Sequence, residues 1–296
     1  MNCQIPPALK PGDLLKVIAP SGAIKEFAAF EKGVEIWRSR GYKIKISNSI
    51  NDRFGYLAGK DSDRIKQLSD AWNDPECKGI LCARGGYGSA RILENWQWKS
   101  HHKWLIGFSD ITCLLWSLYQ QGKSGVHGAV LTTLAAEPHW SIERLFNLVE
   151  GNHIAPLQGI GWGGGIVTGT LLPANFTVAT HLLGTSIQPS FDGVILALED
   201  VTEAPYRIDR LLTQWRLSGV LAKVRGIALG RFSRCEAPAN IPSWTIEEVL
   251  RDRLSDLNIP IVSDLPFGHD GCNAALPVGM PAQLDAERGF LSFNIT

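Results

Sequence analysis

A chain of 296 residues, of which 45% are apolar and 20% charged, is long enough for one large or two ordinary globular domains. Its 29 Lys and Arg residues balance 29 Asp and Glu residues, so no overall field would attract nucleic acid or an anionic membrane. No apolar run approaches the roughly 20 residues of a membrane helix. We therefore expect neither nucleic acid nor a membrane as a partner.

Six cysteines are scattered along the sequence without a C-x-x-C pair, which predicts reduced thiols in a cytoplasmic protein. The first residues have neither the charged nor the apolar segment of a signal peptide, and this also favours the cytoplasm. No Cys/His set has the spacing of a zinc site. Cys113 lies among apolar helix residues, so we interpret it as a buried structural thiol. The other cysteines are Cys3, Cys77, Cys82, Cys235 and Cys272.

The first half of the chain alternates predicted strands with predicted helices. The spacing of Phe27, Phe30, Val34 and Trp37 is typical of an amphipathic helix. Strands that alternate with helices form a parallel sheet with helices on both faces, and ligands bind beyond the carboxyl ends of its strands. The sequence therefore predicts an α/β fold with a doubly wound N-terminal domain, residues 1–150. Its predicted strands are 14–19, 42–46, 79–83 and 104–108, with a possible fifth at 126–130; its predicted helices are 25–40, 61–72, a short one through Leu93, and 141–149.

A glycine-rich segment, residues 151–165, follows this domain and contains six glycines. Such a composition predicts a linker, or a mobile flap that closes over a ligand. The remaining residues, 166–296, mix short strands with helices and predict a second α+β domain with mixed strands. Its predicted strands are 166–171, 194–198, 224–229, 260–263 and 290–293, and its predicted helices are 207–218 and 245–257.

The predicted strand 104–108 ends in a turn of the kind that carries a catalytic serine. It stops at Gly107-Phe108-Ser109-Asp110, and a helical pattern follows at once. Such a junction lifts Ser109 from the sheet edge and leaves the first N–H groups of the helix available to negative charge. Ile111 stands where the G-x-S-x-G pattern has its second glycine, and a simple helix cap would also explain the serine. Ser109 therefore needs partners before the turn indicates catalysis.

Residues 84–88, Arg-Gly-Gly-Tyr-Gly, form a second loop at the same predicted edge. They match neither nucleotide-binding glycine pattern, which argues against a phosphate site. A tight turn with positive φ would explain the glycines. Two unusual loops at one edge instead favour a backbone that closely approaches Ser109 or a substrate and donates an N–H to an oxyanion.

Candidate acid and base residues lie in the second half. An apolar strand ends in Glu199 and Asp200, and a carboxylate at a strand end can orient a histidine. A helix cap or a surface pair would also explain these two residues. His269 lies in a glycine-flanked loop where core packing explains it poorly, so it is the best candidate for a general base. His127, at the possible fifth strand, is its rival.

Taken together, these motifs resemble the LD-carboxypeptidases, the muramoyltetrapeptide carboxypeptidase family of serine peptidases with a Ser-Glu-His triad. The resemblance extends from Pro11-Gly-Asp13 to Pro277-Val-Gly279. One departure is Pro173-Ala-Asn175-Phe176, where the family often has Gly-Gly-Asn-Leu. The matching motifs are RGGYG at 84–88, GFSDIT at 107–112, LEDV at 198–201 with PYRIDR at 205–210, and FGH at 267–269.

The resemblance implies that Ser109 is the nucleophile, Glu199 the orienting acid and His269 the general base. The N–H of Asp110, with that of Gly85 or Gly86, would form the oxyanion hole. The implied reaction releases a terminal D-alanine from an L,D-peptide bond of a cell-wall muramoyl tetrapeptide through an acyl-enzyme, in cytoplasmic peptidoglycan recycling. The family also implies a homodimer that needs no cofactor.

Because such a substrate carries carboxylates, an arginine near the site is expected to bind them. Arg84 is the first candidate, with Tyr87 beside it as a further substrate contact, and Arg207 is the second. Each arginine would serve equally well in a structural ion pair.

Two other functions stay open. Relatives within the family hydrolyse microcin-type peptidyl nucleotides and give antibiotic self-immunity, and Trp162 could stack a nucleobase there or simply anchor its loop. From a different class, the chain could be a non-catalytic binding protein with its ligand between two α/β lobes.

Overall fold

Two β-sheets organise the chain, and the computed structural model describes residues 3–293. The strands are β1 Leu14–Ile18, β2 Lys43–Ile46, β3 Cys77–Cys82, β4 Trp104–Gly107, β5 Gly125–His127, β6 Leu157–Gln158, β7 Ile160–Gly161, β8 Ile166–Asn175, β9 Val194–Val201, β10 Gly226–Ser233, β11 Ile261–Ser263, β12 Leu276–Val278, β13 Pro281–Asp285 and β14 Phe290–Phe293. The helices are α1 Phe27–Ser39, α2 Asp61–Trp72, α3 Ser89–Leu93, α4 Thr112–Gln120, α5 Leu131–Leu134, α6 His139–Val149, α7 Phe176–His181, α8 Pro205–Leu217 and α9 Ile246–Leu254.

The chain divides into two compact units. The first contains residues 3–154 and the later segment Ala274–Met280, and the second contains Ala155–Asn273 and residues 281–293. The second half of the chain therefore returns one short segment to the first unit. The domain boundaries drawn from the sequence, 1–150 and 166–296 with 151–165 between them, stay a prediction.

The sheet of the first unit has the order β12-β5-β4-β3-β1-β2. All neighbouring strands run parallel except β12, which is antiparallel to β5. Parallel neighbours need a crossover between them, and the helices predicted from the sequence supply it. Every residue of β4 is buried. Because β3 and β4 are neighbours, the loop at 84–88 and the turn at Ser109 leave the same edge of this sheet.

The sheet of the second unit has the order β6-β14-β13-β8-β9-β10-β11-β7. Its central strands β8, β9, β10 and β11 run parallel, and the flanking pairs run antiparallel. Glu199 lies near the carboxyl end of β9, and the loop with His269 follows β11. The parallel centre of this sheet therefore brings the two loops to one edge.

Packing and capping explain individual elements. In α1 the predicted stripe buries Phe30, Val34 and Trp37, whereas Phe27, the first residue of the helix, is 46% exposed. Helix α9 begins with a capping box, in which the Thr245 hydroxyl accepts from the Glu248 N–H and the Glu248 carboxylate accepts from the Thr245 N–H.

Part of the glycine-rich segment is built into the second sheet, as the short strands β6 and β7. Ile160 and Gly161 pair antiparallel with β11. The Trp162 indole N–H donates to the Ser263 hydroxyl over 2.8 Å, and the Arg251 guanidinium lies 4.6 Å from the centre of the Trp162 ring. Trp162 thus anchors its segment locally. Closure of residues 151–165 over a ligand stays a prediction.

The predicted fold class is confirmed: a doubly wound parallel sheet is accompanied by a second α/β unit with mixed strands. The sequence patterns did not predict the short elements α5, α7, β6, β7, β12 and β13. None of the helices between residues 3 and 293 is long and apolar enough to cross a membrane.

Candidate active site

Ser109 lies in a strained turn at the end of β4. Phe108 is extended, with φ −147°, and Ser109 has φ +63° before a 3₁₀ turn leads into α4. A non-glycine residue in this left-handed region costs about 1–3 kcal/mol and persists only where surrounding contacts impose it. The turn is the strand-to-helix junction expected of a nucleophile, and its strain is a feature that the sequence pattern does not reveal.

The small residue that this turn needs is Gly107. A Cβ at Gly107 would lie 2.9 Å from Ile111 Cγ1 and 3.1 Å from Cys82 Cβ. Ile111 is fully buried, so it fills the space between the turn and β3. Gly107, two residues before Ser109, therefore leaves room for Ile111, which stands where the G-x-S-x-G pattern has its second glycine.

The backbone of Gly85 lies directly against Ser109. A Cβ at Gly85 would be 2.9 Å from Ser109 Cβ and 3.0 Å from Ser109 Oγ. The Gly85 carbonyl accepts the N–H of Gly22 over 3.1 Å, and Gly86 has φ +106°. The close approach predicted for the 84–88 loop is therefore present in the first unit.

The Asp110 carboxylate joins three loops around this turn. Asp110 is 2% exposed, and its Oδ2 accepts both the Ser21 hydroxyl over 2.6 Å and the Ser89 N–H over 2.8 Å. The Ser89 hydroxyl in turn donates to the Asp110 carbonyl. Since a buried carboxylate needs such donors, these contacts fix the Ser109 turn relative to the loop that contains Gly85. The sequence offered Asp110 only as an N–H donor.

The predicted substrate contacts Arg84 and Tyr87 have different surroundings. Arg84 Nε lies 3.3 Å from the Glu26 carboxylate. The Tyr87 ring is half exposed, and its centre lies 5.9 Å from that of exposed Tyr56. The buried guanidinium of Arg64 donates to the carbonyls of Pro20 and Gly88 and so supports the same loop. No sequence signal distinguished Arg64, because a charged residue on a helix usually faces solvent.

In the second unit, the predicted acid and base are in contact. Glu199 Oε2 lies 2.6 Å from His269 Nδ1, and Glu199 is fully buried while the His269 side chain is 16% exposed. A buried carboxylate on Nδ1 fixes the imidazole orientation and favours a proton on that nitrogen. The pair thus has the arrangement of an oriented general base.

Asn175 links the two carboxylates at the end of β9. Its Nδ2 lies 3.3 Å from Glu199 Oε1 and 3.1 Å from Asp200 Oδ1, while its Oδ1 caps α7 by accepting the Val178 N–H. Asp200 Oδ2 accepts the N–H and the hydroxyl of Thr177. Burial, opposed in part by these hydrogen bonds, raises the pKa of Asp200 to about 6. Asp200 thus fixes the start of α7, and Glu199 is the carboxylate that contacts the imidazole.

The His269 loop is held by backbone contacts to β10. Gly268 has φ +141°, and a Cβ there would lie 3.0 Å from the Arg231 carbonyl oxygen. The Arg231 N–H donates to the Phe267 carbonyl over 2.8 Å, and the Gly268 N–H donates to Asn273 Oδ1 over 3.3 Å. A glycine before the histidine is therefore needed to seat the loop on the sheet.

His127, the rival candidate for the base, and Cys113 both lie in the core of the first unit. His127 is fully buried in β5, with its ring 5.9 Å from that of Phe108 in an edge-on contact. Cys113 is 2% exposed, and burial raises the pKa of its thiol well above the usual range. Cys113 is therefore a buried thiol, as predicted. No cluster of three or more His, Cys, Asp or Glu side chains suited to a metal ion occurs in residues 3–293.

Two family models match the chain. The LD-carboxypeptidase N-terminal domain matches residues 15–128, and the LD-carboxypeptidase C-terminal domain matches residues 168–284. The first match contains Ser109 and the second contains both Glu199 and His269.

Relatives and a solved structure agree with these models. A Synechocystis sp. protein named "Putative carboxypeptidase" is 60% identical over 99% of this chain and 98% of its own length. The murein tetrapeptide carboxypeptidase of Pseudomonas aeruginosa is 31% identical, over 92% and 93% of the two chains. The structure of MccF in complex with glutamyl sulfamoyl guanosine superposes with a TM-score of 0.87 at 20% identity, covering 98% of each chain, and this likeness concerns the fold. The chain belongs to the LD-carboxypeptidase family.

Proposed function

We propose that the protein is a serine carboxypeptidase that releases a terminal D-alanine from the L,D-peptide bond of a muramoyl tetrapeptide. The contact of 2.6 Å between His269 Nδ1 and buried Glu199 carries the proposal, since it supplies an oriented base. The strained turn at Ser109 supports it with a nucleophile. The murein tetrapeptide carboxypeptidase among the relatives supports the substrate class.

In the proposed reaction, Nε2 of His269 takes the proton of the Ser109 hydroxyl as its oxygen attacks the peptide carbonyl carbon. The N–H of Asp110, with that of Gly85 or Gly86, stabilises the oxyanion, an effect worth about 3–4 kcal/mol for one donor. The imidazolium, stabilised by Glu199, then gives its proton to the amine of D-alanine, which leaves. Water hydrolyses the acyl-enzyme with the same histidine as base.

A serine-directed phosphonate tests the covalent step. Wild-type protein is incubated with the reagent and its intact mass is measured, with Ser109→Ala as the control. We expect a single adduct on Ser109 in the wild type and none in the variant. A folded wild type that stays unlabelled and releases no D-alanine from the tetrapeptide would favour the non-catalytic binding protein.

A peptidyl-nucleotide hydrolase of the microcin-immunity type is the competing substrate class. The same preparation is assayed with a muramoyl tetrapeptide and with a peptidyl-adenylate analogue. We expect the tetrapeptide to have the higher kcat/KM, and the reverse preference would assign the chain to the competing class. Trp162 gives the nucleotide little support, because its ring and its indole N–H already have partners within the second unit.

A further inference from the structure

Three neighbouring strands of the second sheet end in residues with left-handed backbone. Thr202 after β9, Arg234 after β10 and Asp264 after β11 have φ of +61°, +53° and +60°. These strands are parallel, so their carboxyl ends meet at the edge where Glu199 and His269 lie. Strained non-glycine residues concentrate at functional sites, and here they lie at the same sheet edge as the candidate acid and base.

A cavity of about 960 Å³ opens at this edge of the second unit, and both His269 and Arg234 line it. Its other cationic lining residue, Arg231, contacts Asp264 and lies 3.7 Å from Asp270. Arg234 is exposed. Within residues 3–293, no carboxylate lies within ion-pair distance of Arg234 and its guanidinium makes no hydrogen bond. Arg234 is therefore the cation of this cavity that is available to a ligand.

The arginines suggested by the sequence have partners already. Arg84 is paired with Glu26, and Arg207 lies 3.3 Å from Glu203. Each of them would have to share its guanidinium between that glutamate and a substrate carboxylate. Arg234 would not.

The proposed reaction also locates the carboxylate that has to be bound. The leaving amine of D-alanine takes its proton from His269, and the terminal carboxylate is attached to the same carbon as that amine. A group that binds the terminal carboxylate must therefore lie next to His269. The cavity is also lined by the carboxylates Glu236, Glu247, Asp264 and Asp270. Arg231 contacts Asp264 and lies 3.7 Å from Asp270, so Arg234 is the lining arginine left to attract an anion.

We infer that Arg234 binds the C-terminal carboxylate of the substrate and so makes the enzyme an exopeptidase. The inference rests on the proposed function. A guanidinium presents two parallel N–H donors that match a carboxylate, and it keeps its charge at every working pH. A peptide that continues beyond the D-alanine has an amide in place of this carboxylate and leaves the guanidinium unpaired.

The test compares a tetrapeptide that ends in D-alanine with the same peptide ending in D-alaninamide. We expect the wild type to prefer the acid, and Arg234→Gln to lose roughly 10–100-fold in kcat/KM for the acid while its value for the amide stays unchanged. Arg234→Lys should restore part of the preference. The matched control is Arg288→Gln, because Arg288 packs on Phe290 and does not line this cavity. A variant Arg234→Gln that folds normally and keeps the wild-type preference would overturn the inference.

Binding measurements separate this inference from the proposed function. In Ser109→Ala, calorimetry with the two peptides should give a tighter Kd for the acid, and Ser109→Ala/Arg234→Gln should bind both alike. If the wild type fails to cleave either peptide, the proposed reaction is wrong, and the calorimetric comparison still decides the role of Arg234. If Ser109→Ala and Ser109→Ala/Arg234→Gln prefer the acid to the same extent, the inferred role of Arg234 is contradicted.

Discussion

Gly85→Ala is expected to impair catalysis through a single methyl group. The added Cβ would lie 2.9 Å from Ser109 Cβ and 3.0 Å from Ser109 Oγ, whereas carbon atoms in good contact are about 3.5–4.0 Å apart. Ser109 or the loop must therefore move by roughly 0.5–1 Å, and a displacement of that size costs about 100-fold in rate at a reacting centre. We expect kcat/KM for D-alanine release to fall by roughly 10–100-fold, with about 1–3 kcal/mol lost in stability from overpacking.

Gly128→Ala is the matched control for this variant. Gly128 follows β5 in the same unit, and a Cβ there would meet only ordinary contacts of 3.4 Å or more. Both variants are assayed for D-alanine release and melted in parallel. The reasoning is refuted if Gly85→Ala retains wild-type kcat/KM, or if Gly128→Ala loses as much activity as Gly85→Ala.

Three further predictions concern carboxylates and the base. Glu199→Gln and His269→Ala should each lower kcat by roughly 10³-fold or more without changing the circular dichroism spectrum, and near-normal turnover in either would show that the base pair is misassigned. Asp110→Ala should lower kcat more than it raises KM and should cost about 1–3 kcal/mol of stability per donor left unpaired. Asp110→Asn should recover most of the lost kcat and stability, because one amide oxygen can accept from both donors that reach Oδ2. Equal losses in the two variants would exclude this positioning role. The pKa of Asp200 is raised to about 6 in the folded protein, so its contribution to stability is full below about pH 4 and is lost as the pH rises through 6. Urea melts of the wild type and Asp200→Asn should therefore show the wild type losing stability relative to the variant as the pH rises from 4 to 6. A difference in unfolding free energy that does not change with pH contradicts the prediction.

The sequence was most informative where a local pattern controls the structure. Alternating strands and helices predicted the first sheet, and the stripe in α1 predicted its buried face at Phe30, Val34 and Trp37. It could not predict β12, because three residues of an edge strand that pair with β5 from the far end of the chain have no periodicity of their own. Nor could it predict helix α7, which is only six residues long and whose N-cap, Asn175, is also the last residue of β8.

For the candidate site, the sequence predicted which residues to select, but it could not predict the contacts that hold them in place. Ser109, Glu199 and His269 could be selected from the sequence, but the positive φ of Ser109 and the bridge that Asn175 makes between two carboxylates depend on tertiary contacts. The arginines illustrate the same limit. Charge and a place in the 84–88 loop suggested Arg84, and only the ion pairs of the folded chain distinguish it from Arg234.

The return of Ala274–Met280 to the first sheet has a consequence for biosynthesis. When residue 154 has left the ribosome, β5 still exposes an unpaired strand edge, because β12 lies about 120 residues further along the chain. At translation rates of about 5–20 residues per second, that edge waits on the order of ten seconds for its partner. Throughout this interval the edge is a template for pairing with the strands of other chains. The sheet that leads into Ser109 is finished only after the segment with Glu199 and His269 has been made. An incomplete polypeptide therefore never completes the unit with the proposed nucleophile before the proposed acid and base have been synthesised.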